Sequence, residues 1–264
     1  MTTLPKTLNC ILELSDGWLT IWFNRPEKRN ALSAELLNDI AIILKSVYSD
    51  RSVRGIIFRG KGNMFCAGAD LEELKNISLA GEKARAMAME MSNSAGEVFK
   101  AISTAPQITV AAVEGAAMAG AFGIACATDL LVTMADAKYA LTETKIGLTP
   151  AQIAPYVLNR LGFAKARKLM ILGTSFNGQK AFEISMADYV VNNEKEFNDQ
   201  LNEIKKQVKK CAPHAVSVTK KIIHNNHAID FKKAATLFSD CIVHEEGKEG
   251  FASFFEKRKP YWNK

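Results

Sequence analysis

Apolar runs that suit β-strands alternate along most of the chain with amphipathic stretches that suit α-helices. The runs predict strands over residues 7–14, 18–24, 53–59, 108–113, 129–133, 138–141 and 189–191. The amphipathic or alanine-rich stretches predict helices over residues 33–47, from 70 onward, over 80–103, from 120 onward, and over 151–161, 163–172 and 179–185. Alternation of this kind predicts an α/β fold.

The strand pattern ends near residue 191, and helical patterns follow it. The next helix carries an apolar stripe, and the last one is crowded with aromatic rings: Phe197, Leu201, Ile204 and Val208, then Phe251, Phe254 and Phe255. Rings of this size are costly to leave in water, so we expect them to dock on the core or on a neighbouring chain. We therefore predict an α/β core over residues 1–193 and a helical region over residues 194–264.

Two stretches pass from a buried strand through small residues into a helix. The first covers residues 53–71, and the second covers residues 108–129. Small residues leave the first backbone N–H groups of each helix open, and these groups have no acceptor within the helix. Two such N–H groups could stabilise one oxyanion. Tight packing of helix on strand is the alternative explanation for the small residues.

Composition and charge exclude several classes of protein. The chain has 264 residues, of which 48% are hydrophobic, and its formal net charge is +6. No apolar run approaches the roughly 18 residues of a membrane span, and the first residues lack a signal-peptide pattern, so we expect a cytoplasmic protein. The basic pairs late in the chain are not interleaved with aromatic residues, so we expect neither nucleic acid nor a membrane as a partner.

The cysteine and histidine pattern predicts reduced thiols and no metal. Five cysteines are an odd number and form no C-x-x-C pair. Cys66 lies beside the first small-residue turn and could be a nucleophile, but no histidine is placed to activate it. His224 and His227 are three residues apart, and no third ligand completes a metal set, so solvated histidines are the preferred interpretation.

Four motifs together resemble the crotonase (enoyl-CoA hydratase/isomerase) family. They are Asn24-Arg25-Pro26-Glu27-Lys28-Arg29-Asn30-Ala31-Leu32, Phe65-Cys66-Ala67-Gly68-Ala69-Asp70-Leu71, the tract 115–129, and Glu256-Lys257-Arg258-Lys259-Pro260. The resemblance implies a spiral of ββα units with a C-terminal helical trimerisation region, assembled as a homotrimer or homohexamer. It implies an acyl-CoA thioester as substrate and no cofactor, so residues 1–193 would form the catalytic core and 194–264 the oligomerisation region.

The resemblance also implies the catalytic groups. The backbone N–H groups of Ala69 and Gly120 would form the oxyanion hole for the thioester carbonyl. Similar hydratases use two glutamates. Here the first of those positions is Gly123, and the second is Glu143, which we expect to be the catalytic acid and base with a pKa raised by an apolar pocket.

Coenzyme A would lie along the loop after Pro26, by the same resemblance. The implied CoA-binding residues are Lys28, Arg29, Ala31, Ala67 and Asp70, completed by Phe238 and Lys257 from the C-terminal helices, often of a neighbouring subunit. For Lys257 a solvated terminal charge is the alternative.

The reaction stays open between three possibilities at this point. Residues 147–157 look similar to the branch of methylglutaconyl-CoA and isohexenylglutaconyl-CoA hydratases, which favours an enoyl-CoA hydratase acting on a branched or glutaconyl-type chain. An enoyl-CoA isomerase using Glu143 alone is the second possibility. The third, suggested by the missing carboxylate at Gly123, is an inactive acyl-CoA-binding homologue.

Overall fold

A computed structural model describes residues 3–225 and 229–263, in which two small sheets are surrounded by helices. The strands are β1 (Cys10–Ser15), β2 (Trp18–Phe23), β3 (Gly55–Gly60), β4 (Ile108–Val113), β5 (Ala116–Met118), β6 (Leu130–Met134), β7 (Lys138–Ala140), β8 (Phe176–Asn177) and β9 (Tyr189–Val191). The helices are α1 (Ala34–Val47), α2 (Leu71–Ser78), α3 (Ala84–Thr104), α4 (Gly120–Ala127), α5 (Ala154–Leu172), α6 (Gly178–Glu183), α7 (Glu194–Lys209), α8 (Pro213–His224), α9 (Phe231–Val243) and α10 (Glu245–Phe255).

The larger sheet has the strand order β1-β2-β3-β4-β6-β9, and the smaller one has the order β5-β7-β8. In the larger sheet β1 pairs with β2 in antiparallel fashion, and the other neighbours are parallel. The predicted α/β fold is confirmed. The short strands β5 and β8 were not predicted. The two helices predicted over 151–161 and 163–172 are both present within α5, and they meet at a kink where Gly162 has a non-helical conformation.

Successive residues of β3 and β4 serve two different cores, because side chains alternate between the two faces of a sheet. Phe58 and Val113 join a core formed with helices such as α1, α4 and α5, whereas Ile57 and Val110 join a core beneath α7. Both faces of these central strands are therefore covered, which explains why their sequences are apolar without alternation.

Helix α7 packs on the larger sheet of the same chain. Its four-residue apolar stripe, predicted to need a partner surface, is buried against β-strand residues of the same chain, including Trp18 and Val132. The helical region predicted over 194–264 is present, but its exposed apolar surface lies on α9 and α10, which carry Phe231, Phe238, Phe251, Phe254 and Phe255.

No helix among the described residues is both long and apolar enough to cross a membrane.

Helix α9 packs mainly on α10 and also on α8. The two C-terminal helices thus form a pair at one side of the chain.

Candidate active site

The two small-residue turns predicted from the sequence lie side by side. The segment around Cys66 pairs with β5 in parallel fashion: the Cys66 N–H donates to the Ala116 carbonyl at 2.9 Å, and the Met118 N–H donates to the Cys66 carbonyl at 3.2 Å. Gly68 has φ +96°, and a Cβ on it would lie 2.9 Å from the Met118 carbonyl oxygen. Only glycine suits this close approach, which brings Ala69 near the start of α4.

A backbone hydrogen bond fixes the direction of the Ala69 N–H. The Leu32 N–H donates to the Gly68 carbonyl at 2.7 Å. In a planar trans peptide the carbonyl and the following N–H point in opposite directions. The Ala69 N–H therefore points away from Leu32, and among the described residues it has no protein acceptor.

The Gly120 N–H is directed in the same manner. The Ala119 carbonyl accepts from the Gly123 N–H at 3.2 Å, so the N–H on the other side of that peptide points outward from the start of α4. As the first helical residue, Gly120 has no acceptor within the helix. Ala119 adopts φ 48° and ψ −117°, a conformation that costs a non-glycine residue about 1–3 kcal/mol. This conformation of Ala119 sets the orientation of the peptide between Ala119 and Gly120.

Glu143 follows strand β7, which lies beside β5 in the smaller sheet. Strand β7 pairs in parallel with β5, and the Ala119 N–H donates to the Ala140 carbonyl at 2.9 Å, just beyond the ends of both strands. Glu143 follows Ala140 by three residues and begins a 3-10 helix (Glu143–Ile146). Glu143 therefore follows closely after a backbone contact with the residue that precedes Gly120.

The Glu143 carboxyl has one oxygen without a hydrogen-bond partner among the described residues. It is half-buried, and its Oε2 atom is buried without a hydrogen-bond partner in the described part of the chain. Burial raises the pKa of this carboxyl above its ordinary value, with a smaller opposing effect from a backbone hydrogen bond. A half-buried carboxyl with one oxygen left unpartnered can exchange a proton with a ligand.

Gly123 leaves no room for a second carboxylate. A Cβ at this position would lie 2.1 Å from Ile153 Cγ2 and 2.7 Å from Ile153 Cβ. Gly123 is one helical turn after Gly120, and Ile153 is buried. The position that carries a glutamate in similar hydratases is thus filled by an aliphatic side chain, which the sequence did not reveal because Ile153 is 30 residues away.

The loop after β2 is tied to the first of the two small-residue turns. Asn30 is fully buried; its amide Nδ2 donates to the Lys61 carbonyl at 2.9 Å and to the Met64 carbonyl at 2.6 Å, and its Oδ1 accepts from the Arg25 N–H at 2.8 Å. Every polar atom of this buried side chain is engaged, so the loop is held rigidly.

Arg25 and Asp70 join the same loop to the start of α2. Arg25 Nη2 lies 3.0 Å from Asp70 Oδ2, and Arg25 Nη1 donates to the Ala31 carbonyl at 2.6 Å. Asp70 is also the N-cap of α2, accepting from the Glu72 N–H. The sequence did not predict a role for Arg25 or Asn30, although both lie in the 24–32 motif.

The structure brings five of the predicted CoA-binding residues together and leaves two apart. Hydrogen bonds join residues 25–32 to residues 60–70, and we call these two segments the joined loops. They carry five of the predicted residues: Lys28, Arg29, Ala31, Ala67 and Asp70. Within them the Ala67 N–H donates to the Arg29 carbonyl at 3.0 Å. Lys28 is exposed, and its ammonium group pairs with the exposed carboxylate of Glu72, so a ligand can also reach it.

The other two predicted CoA-binding residues, Phe238 and Lys257, are exposed, and no hydrogen bond or ion pair among the described residues links them to residues 25–32. The Phe238 ring is 69% exposed. Their role in nucleotide binding stays a prediction.

Cys66 and the histidines do not form an alternative centre. Cys66 is fully buried, and burial raises the pKa of its thiol to about 12, so the thiolate is not accessible as a nucleophile. His224 is an exposed helix residue whose Nε2 lies 2.5 Å from the Ser103 carbonyl, and His227 lies outside the described residues. Residues 3–225 and 229–263 contain no group of three side chains arranged to hold a metal.

Known proteins resemble this chain over nearly its whole length. The sequence pattern of the enoyl-CoA hydratase/isomerase family matches residues 13–264. The crotonyl-CoA hydratase of Syntrophomonas wolfei is 29% identical over 257 residues, which cover 95% of this chain and 96% of that protein.

Solved structures agree with this match. AtuE of Pseudomonas aeruginosa has a TM-score of 0.93 at 34% identity, covering 97% of this chain and 100% of that one. An enoyl-CoA hydratase/isomerase from Marinobacter aquaeolei has a TM-score of 0.92 at 33% identity, covering 97% and 99%. The fold is therefore the crotonase fold, and the chain belongs to the enoyl-CoA hydratase/isomerase family.

Proposed function

We propose that this protein is an enoyl-CoA hydratase that adds water across the α,β double bond of an acyl-CoA thioester. The observation that supports the proposal is that two outward N–H groups, on Ala69 and Gly120, lie next to the end of the strand that leads to Glu143, whose Oε2 atom has no partner among the described residues. Hydration creates an enolate at the thioester, and each N–H of an oxyanion hole is typically worth about 3 kcal/mol in the transition state. The family's activity, and names such as crotonyl-CoA hydratase among the relatives, support the assignment.

Glu143 performs both proton transfers in this proposal. As a carboxylate it removes a proton from water while the oxygen attacks the β-carbon, and as the resulting acid it returns a proton to the α-carbon of the enolate. A raised pKa suits this double role, because the group must gain and lose a proton within one turnover. Coenzyme A would lie along the joined loops, with Lys28 at the phosphates.

We further propose a branched or glutaconyl-type enoyl chain as substrate. Residues 147–157 resemble the branch of hydratases that act on such chains, and Ile153 lies within this segment. The aliphatic contact between Ile153 and Gly123 replaces a polar position with an apolar wall. Comparing kcat/KM for crotonyl-CoA and for a 3-methylglutaconyl-type ester tests this proposal, and a preference for crotonyl-CoA would contradict it.

An enoyl-CoA isomerase is the second candidate, favoured by one observation. A double-bond shift needs a single base and an oxyanion hole, and only one carboxylate, Glu143, occupies a family catalytic position here. Incubation with a 3-enoyl-CoA separates the two reactions, since an isomerase converts it to the conjugated 2-enoyl ester. Conversion of the 3-enoyl ester without hydration of the 2-enoyl ester would favour the isomerase.

We also propose a cytoplasmic homotrimer or homohexamer. Exposed rings on α9 and α10 support an assembled state, because burying each could contribute about 1.5–3 kcal/mol. Phe238 and Lys257 would then reach the nucleotide of a neighbouring chain. Light scattering at micromolar concentration tests the assembly, and a mass near one 29.0 kDa chain would contradict it.

A further inference from the structure

Leu32 contacts both turns that carry the candidate oxyanion donors. Its backbone pairs with Ala69: the Leu32 N–H donates to the Gly68 carbonyl at 2.7 Å, and the Leu32 carbonyl accepts from the Asp70 N–H at 3.0 Å. Its side chain points to the other turn, where Leu32 Cδ1 lies 3.0 Å from the place that a Cβ on Gly120 would occupy. One buried residue thus connects the two donors.

We propose that the Leu32 side chain is a positioning residue that sets the separation between the Ala69 and Gly120 N–H groups. The inference rests on the proposed function, in which both groups bind the same thioester oxygen. Leu32 itself touches no reacting atom in this arrangement.

The packing around Leu32 explains how an aliphatic side chain can have this effect. Leu32 is 3% exposed, and its backbone cannot move without breaking the two bonds that fix the Ala69 turn. Because Gly120 has no side chain, the leucine rests almost directly on the backbone at the start of α4. Close-packed interiors transmit such contacts with little give.

A small displacement of a donor has a large kinetic effect. A misplacement of about 1 Å can lower a catalysed rate by roughly a hundredfold. Removing the Leu32 side chain leaves the Ala69 turn bonded but removes the support under Gly120. The damage should fall on kcat, because the enolate needs both donors more than the ground-state thioester does.

The test compares Leu32→Ala with Leu44→Ala. The control removes the same atoms from a leucine that is also buried, with 4% of its surface exposed, in the last turn of α1, whereas Leu32 precedes the first turn. Both variants should be less stable than the wild type. In folded protein, kcat of Leu32→Ala should fall about ten- to hundredfold with KM within about threefold, whereas Leu44→Ala keeps kcat within about twofold. Equal kcat values in the two variants would overturn the proposal.

Two further measurements guard against a variant that does not fold or a wild type that does not turn over. Leu32→Met conserves volume and should retain most of kcat. A crystal structure of Leu32→Ala should show a changed distance between the Ala69 and Gly120 nitrogens, and an unchanged distance would overturn the proposal without any kinetics. A wild type that neither hydrates nor isomerises enoyl-CoA esters would contradict the proposed function instead.

Discussion

Replacing Glu143 with glutamine should abolish turnover while leaving the fold and acyl-CoA binding intact. Glutamine keeps the length and planar end of the side chain but cannot accept a proton. Positioned acid–base groups typically contribute about 10²–10⁴-fold to a rate, so kcat should fall at least about a hundredfold. KM should stay within about threefold, because the carboxyl is assigned no role in holding coenzyme A.

The same substitution should not lower the stability of the protein at neutral pH. Burial raises the pKa of Glu143 in the folded state, so folding opposes the ionised form. As the pH rises through the ordinary range of a glutamate and then through the raised value, the folded state loses the stability that the protonated group gave it. A neutral glutamine removes this penalty, and the melting temperature of Glu143→Gln should equal or exceed that of the wild type above about pH 7.

Three measurements decide the matter: kcat and KM from the loss of enoyl absorbance, and the melting temperature of each protein. Glu183→Gln is a matched control, because Glu183 is a surface residue paired with Lys180 and lies in another helix. The wild-type rate should also fall as the pH drops through the raised pKa of Glu143, since protonation removes the base. A variant that keeps more than about a tenth of wild-type kcat would refute the assignment.

Three other changes test neighbouring parts of the account. Gly120→Pro should reduce kcat far more than Gly120→Ala, because proline removes the N–H, whereas alanine keeps it and has only to displace the end of the Leu32 side chain slightly; equal losses in folded variants would show that bulk matters instead. Gly123→Glu should destabilise the fold by about 1–3 kcal/mol through overlap with Ile153, and adding Ile153→Ala should recover stability in thermal melts; no recovery would contradict the close packing of Ile153 on Gly123. The imidazoles of His214 and His244 stack 3.8 Å apart, and burial followed by the neighbouring ring lowers the pKa of His214. The unfolded chain therefore binds that proton more readily, so stability should fall as the pH drops below about 6.5, and His214→Phe should flatten this dependence; an identical pH profile in the variant would argue against it.

The sequence predicted the layout of the fold because the central strands are buried on both faces. Predominantly apolar runs such as β3 and β4, each followed by small residues, are recognisable without any tertiary information. Strands of two or three residues, such as β5 and β8, carry too little pattern to be recognised. The partner of α7 was also hidden, since an apolar stripe shows that a helix is covered and does not show by what.

Half of the candidate site was predictable, and the other half depends on contacts between distant residues. The resemblance predicted Glu143 and the two backbone donors, and the hydrogen bonds of the Gly68 and Ala119 carbonyls show the directions of those N–H groups. The roles of Leu32 and Ile153 could not be predicted, because each acts by filling the space above a glycine in α4. Such contacts exist only once the chain is folded.

The measurement that tests the central claim most directly is the reaction of a 2-enoyl-CoA ester in water labelled with oxygen-18. The wild type should form a 3-hydroxyacyl-CoA product that is heavier than the substrate by one labelled water, and Glu143→Gln should not. Recovery of the enoyl ester with no hydroxyacyl product, or labelled product formed equally by both proteins, would contradict the assignment of Glu143 as the catalytic group of a hydratase.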